Sequence, residues 1–89
     1  MIERELTVAN RLGLHARATA RLVQLLSGYK CDATLSARGR QVNAKSIMGV
    51  MLLAAGTGST VVLRVDGDDE ADAADAVSAL FERRFDEDA

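Results

Sequence analysis

The 89-residue chain has no proline and no tryptophan, one cysteine, one histidine and only three aromatic side chains, Tyr29, Phe81 and Phe85. Each shortage excludes something. Cys31 alone permits no disulfide framework within the chain, and a metal site built on Cys31 and the single His15 would be two ligands short without carboxylates. No metal, nucleotide or other cofactor is therefore expected, and the thiol count fits a reducing cytoplasm. The aromatic residues form no run on any strand where bases could stack. The net charge is −2, with the acidic residues gathered after Asp66, so the clustered cations that bind a phosphate backbone are also missing. Nucleic acid is excluded as an expected partner.

Long apolar runs are absent too. No stretch approaches the ~20 apolar residues of a membrane span, and Glu3, Arg4 and Glu5 stand where a secretion signal would need its apolar core. The expectation is an unexported, cytoplasmic chain with no membrane contact. There is no internal repeat or low-complexity linker, and the length suits one domain over residues 1–89, since typical domains hold ~100–150 residues.

What is present is a 48% hydrophobic content made of Val, Leu, Ile, Met and much Ala, which suits small helices packed closely on a sheet. Ile2, Leu6 and Val8 alternate with Glu3, Glu5 and Thr7 as in a strand with one buried face, with Arg4 breaking the pattern. From Ala16 the period becomes helical: Thr19, Leu22, Val23 and Leu26 share a face, and Gly28 is a natural stop. Cys31 to Ala37 and Arg40 to Asn43 read as a hairpin turning at Arg38-Gly39. Ser46 is a good N-cap for a short helix through "IMGVMLLAA", which "GTGS" then ends. Thr60 to Asp66 alternates again, with Val61, Leu63 and Val65 together. A last helix runs from about Asp69 to Phe85, its acidic start at Asp68, Asp69, Glu70 and Asp72 and its basic end at Arg83 and Arg84 suiting the macrodipole, and an acidic tail follows from Asp86 to Ala89. The fold class is α+β: a β-α-β-β-α-β-α open-faced sandwich with a four-stranded antiparallel sheet and three helices on one face.

The only histidine lies in "NRLGLHARATA", where the first strand has ended and the first helix begins. Free amides at a helix start carry partial positive charge and attract anions. A free imidazole has a pKa near ~6.5, so at cytoplasmic pH one ring nitrogen offers a lone pair for nucleophilic attack. Phosphorylated there, the ring would set anionic oxygens beside the amides of Ala16 and Arg17, with the Arg17 guanidinium as a charge-assisted donor. Gly13 lets the backbone bend ahead of it, and the Asn10 side chain can bond to the turn. From spacing alone, a solvent-exposed capping residue is the favoured account of His15.

"NRLGLHARATA" resembles the active-site segment of the bacterial HPr phosphocarrier family, in which a histidine between Gly-Leu and Ala-Arg accepts phosphate from enzyme I. "VNAKSIMGVM", Val42 to Met51, resembles that family's segment with a regulatory serine, here Ser46. The family's element order agrees with the one read from periodicity, so the resemblance covers essentially the whole chain. It implies a phosphocarrier of the phosphoenolpyruvate-dependent phosphotransferase system, not an enzyme with its own turnover. His15 would receive phosphate from enzyme I, Arg17 would stabilise it, and a IIA-type protein or domain would take it on. A serine kinase or phosphorylase acting on Ser46 is a further implied partner, and the chain is expected to be a monomer.

For the docking patch the resemblance points to Ala20, Ile47, Met48 and Met51, although core packing also accounts for Ile47, Val50 and one methionine. Arg21 and Lys45 are candidate cations for acidic partners. The chain departs from the family in one place: Ala18 stands where proline usually follows the active-site arginine. Intact His15 and Ser46 leave a purely regulatory role open beside the carrier role.

Overall fold

A computed structural model describes residues 1–87. Among them lie strands β1 (Ile2–Thr7), β2 (Asp32–Ala37), β3 (Arg40–Asn43) and β4 (Thr60–Asp66), with helices α1 (Ala16–Leu26), α2 (Ile47–Leu52) and α3 (Glu70–Glu82). The strands form one antiparallel sheet in the order β1-β4-β2-β3, and the element order is the one expected.

Alternation sets the register. Val61, Leu63 and Val65 of β4 are fully buried, and Leu63 lies between Arg4 of β1 and Leu35 of β2. Ile2 and Ala33 flank Val65 in the same way, so the inward residues form rows across the sheet. The helices cover this face with Ala18, Leu22 and Leu26 of α1, Val50 of α2, and Ala73, Ala74, Val77, Leu80 and Phe81 of α3. Many of these are alanine or valine, which lets the helices approach the sheet closely.

Arg4, which breaks the alternation of β1, is explained by the layer above it. Its guanidinium donates to Ser78 Oγ at 3.1 Å and pairs with Asp75 at 2.8 Å, both on α3. The hairpin turns at Arg38 and Gly39, with φ of +50° and +80°; glycine accepts this region freely, and a positive φ at both centres matches the twist of the strands.

Several boundaries differ from the sequence reading. β2 begins at Asp32, and Val8 lies beyond β1, bonded to Gly58 and Ser59 in the loop before β4. α2 stops at Leu52 and not at Ala55, and Ala54 takes a φ of +49°. α3 stops at Glu82, short of Phe85, because Arg84, Phe85 and Asp86 turn into the left-handed region with φ of 55°, 56° and 59°. The basic residues thus lie past the last turn of the helix. Asp69 stands at the cap position, yet its carboxylate accepts from the amides of Lys30 and Cys31, at 2.8 and 2.9 Å, and ties α3 to β2. Of the acidic tail, Asp88 and Ala89 lie outside the described residues.

Candidate functional site

The loop from β1 to α1 is built around Asn10, which is fully buried. Its Nδ2 donates to Gly13 O at 2.7 Å, and the Gly13 amide returns a bond to Asn10 O at 3.1 Å. Gly13 has φ +68° and passes so near the loop before β4 that a Cβ would lie 2.6 Å from Ala55 O. Next in the chain, the Leu14 amide donates to that same oxygen at 2.9 Å. Two backbone segments are thereby locked together just ahead of His15.

His15 is the N-cap of α1, with extended backbone. Its ring accepts at Nδ1 from the Arg17 amide at 3.3 Å, while Nε2 faces Glu87 Oε2 at 2.6 Å. The side chain is 27% exposed. Beside it opens a cleft of about 610 Å³ lined by Arg11, His15, Ala16, Arg17, Arg21 and Glu87, among others. Within the described residues the Arg17 guanidinium forms no ion pair. The imidazole, the Ala16 amide, free among the described residues, and the Arg17 side chain thus line one accessible cleft, an arrangement suited to holding a phosphoryl group.

The family model described as "PTS HPr component phosphorylation site" matches residues 2–83. The chain belongs to the HPr family. It is 62% identical over 88 residues to the phosphocarrier protein HPr of Xylella fastidiosa strain Temecula1, covering 99% of each chain. It is also 56% identical over 87 residues to the phosphocarrier protein HPr of Cupriavidus necator, covering 98% of each. A crystal structure of HPr-C-His from Thermoanaerobacter tengcongensis matches with a TM-score of 0.96 at 39% identity over the whole of both chains. The chain is accordingly an HPr phosphocarrier of the phosphotransferase system, with no helix among the described residues long and apolar enough to cross a membrane.

In this HPr, Ser46 caps α2, its Oγ accepting from the Gly49 amide at 3.1 Å. Ile47, Met48, Met51 and Leu52 are exposed, Met48 by 79%, and only Val50 of this helix is buried. The core reading of Ile47 and of one methionine is thereby corrected: a six-residue helix lying over the end of a sheet has one inward position and leaves the rest outside. Ala20 is half-buried on α1, which packs against α2. Arg21 and Lys45 are each tethered to a backbone carbonyl. Arg21 donates to Phe85 O, and Lys45 Nζ donates to Tyr29 O at 2.7 Å.

The site also contains a group that sequence reasoning missed. Glu87 lies 72 positions from His15, in a stretch read only as an acidic tail, and is nonetheless 12% exposed. Burial works against its ionisation, but hydrogen bonds from Asn10 and His15, with the charge of Arg21, hold its carboxyl below the ordinary value. The available signal was Phe85, an aromatic two places earlier in an otherwise charged segment.

Proposed function

We propose that His15 is the phosphoacceptor, taking a phosphoryl group from phosphorylated enzyme I and passing it to a IIA-type protein or domain. The observation that carries this reading is an imidazole at a helix N-cap whose Nδ1 meets the first amides of α1 beside an open cleft. Attack by the Nδ1 lone pair forms an N–P bond as the donor's bond to phosphorus breaks, and the donor keeps that electron pair. The Arg17 amide then exchanges the ring nitrogen for a phosphoryl oxygen. The Ala16 amide, which has no partner among the described residues, and the Arg17 guanidinium complete the cradle. The cradle consists of donors to the phosphoryl oxygens, which hold the group for transfer.

Docking involves Ala20 and the exposed Ile47, Met48 and Met51, and the flexible, polarisable methionines suit more than one partner. Each contact is small and brief, since a carrier that bound either neighbour tightly would slow the flow. A phosphate on Ser46 would add about −1.5 to −2 charges at the edge of this patch, repel acidic partners and regulate docking. In this reading residues 1–89 act as one cytoplasmic, monomeric domain without cofactor.

The test is incubation with enzyme I, phosphoenolpyruvate and candidate IIA acceptors. Acid-labile, alkali-stable label should enter the wild type, leave it for a IIA partner, and be absent from a folded His15→Ala variant. Undiminished labelling of that variant refutes the acceptor. Label that enters and never leaves assigns the chain to the regulatory role instead.

A further inference from the structure

We infer that Glu87 is a positioning residue for phosphoryl transfer: its carboxylate keeps the proton of His15 on Nε2 and so directs the lone pair of Nδ1 toward the phosphoryl donor. This rests on the reading of His15 as phosphoacceptor. An ionised carboxylate only accepts, and a backbone amide only donates. With Glu87 Oε2 at 2.6 Å from Nε2 and the Arg17 amide at 3.3 Å from Nδ1, both contacts are satisfied by one tautomer, with the proton on Nε2.

The carboxylate is held by a second hydrogen bond and by the backbone that carries it. Asn10 Nδ2 donates to its other oxygen at 3.0 Å, and the same Asn10 fixes the loop that carries His15. The left-handed run Arg84, Phe85, Asp86 is a conformation that L residues disfavour, and it brings the chain back over α1. It is secured by Phe85, fully buried with its ring centroid 4.8 Å from that of Phe81, by Arg21 donating to Phe85 O, and by an Arg83–Asp86 pair at 3.0 Å. The Glu87 amide closes the turn on Arg84 O at 3.0 Å.

The contact serves both directions of transfer. When Nδ1 attacks, the N–P bond forms and the ring becomes cationic while Nε2 keeps its proton, so the Glu87 carboxylate faces the new positive charge. When the group moves on, the N–P electron pair returns to Nδ1 and the neutral ring is restored. No proton crosses the ring in either step. A ring that lost its Nε2 proton while phosphorylated would be a poorer leaving group, and the carboxylate opposes that loss.

Because the chain has one histidine, 15N-histidine labelling reports on this ring alone. The wild type, Glu87→Gln and Glu87→Ala are compared by 15N NMR, unphosphorylated, at a pH where the ring is neutral. Initial rates of phosphorylation by enzyme I and phosphoenolpyruvate are then measured. The wild type should show the proton on Nε2. In Glu87→Gln the amide oxygen turns to Asn10 and its NH2 to Nε2, so the Nδ1-protonated form should rise several-fold and the rate fall about 10-fold, by analogy with the lower end of the scale for partners that orient metal-ligating imidazoles. Glu87→Ala should lose the hydrogen-bond signature at Nε2, with a smaller loss of rate. A wild-type ring protonated on Nδ1, tautomer populations equal in wild type and Glu87→Gln, or altered populations with an unchanged rate would each overturn the inference. If the wild type accepts no phosphoryl group while the populations shift as described, the phosphoacceptor reading fails and the contact with Glu87 stands.

Discussion

Replacing Gly13 with alanine separates two physical contributions at the point where the active-site loop meets the loop before β4. With φ at +68°, any Cβ meets the left-handed penalty of about 1–2 kcal/mol. The same Cβ would lie 2.6 Å from Ala55 O and 2.8 Å from Gly56 Cα, both backbone atoms that cannot rotate away. Overpacking of this kind costs about 1–3 kcal/mol, so the total is roughly 2–5 kcal/mol. Gly39 supplies the control, because it has φ +80° with nothing within 4 Å, and Gly39→Ala should show the conformational part alone. In urea, with a slope near ~1 kcal/mol/M for a small domain, the Gly13→Ala midpoint should fall by about 2 M or more and that of Gly39→Ala by about half as much. The relaxing backbone would also break the bond from the Leu14 amide to Ala55 O, so phosphorylation of His15 should slow in Gly13→Ala and not in Gly39→Ala. Equal destabilisation by the two alanines would show that the loops do not approach as described.

Ser46→Ala should lower stability by about 1 kcal/mol through loss of the cap bond to Gly49, measured by denaturant titration. Ser46→Asp should leave stability near the wild type but slow enzyme I-dependent labelling of His15, and unchanged kinetics would remove the regulatory role. Asp69 has its pKa lowered, chiefly by the hydrogen bond from the Lys30 amide, against some desolvation and with further help from Cys31. A depressed carboxyl contributes stability that is complete above its unfolded value of about 3.9 and is lost as pH falls through the lower folded value. Asp69→Asn should therefore be less stable at neutral pH and show a shallower loss of stability below about pH 4. Met48→Glu, at an exposed position, should leave the unfolding midpoint unchanged while weakening capture by acidic partners.

The sequence alone determined the element order and the inward faces, because period two and period 3.6 are local properties written into neighbouring residues. It also marked His15 and Ser46, since a cap is set by a few consecutive positions, and the resemblance to HPr rested on contiguous segments. Where α3 stopped was decided by tertiary packing: Phe85 is buried only if the chain leaves α3 early and turns left-handed, which no short-range pattern encodes. The same holds for Arg4, an interruption in β1 that becomes regular once Asp75 and Ser78 lie above it. Glu87 meeting His15 belongs to this second group, for a contact across 72 residues arises from how the layers stack and leaves no trace in the spacing of either segment.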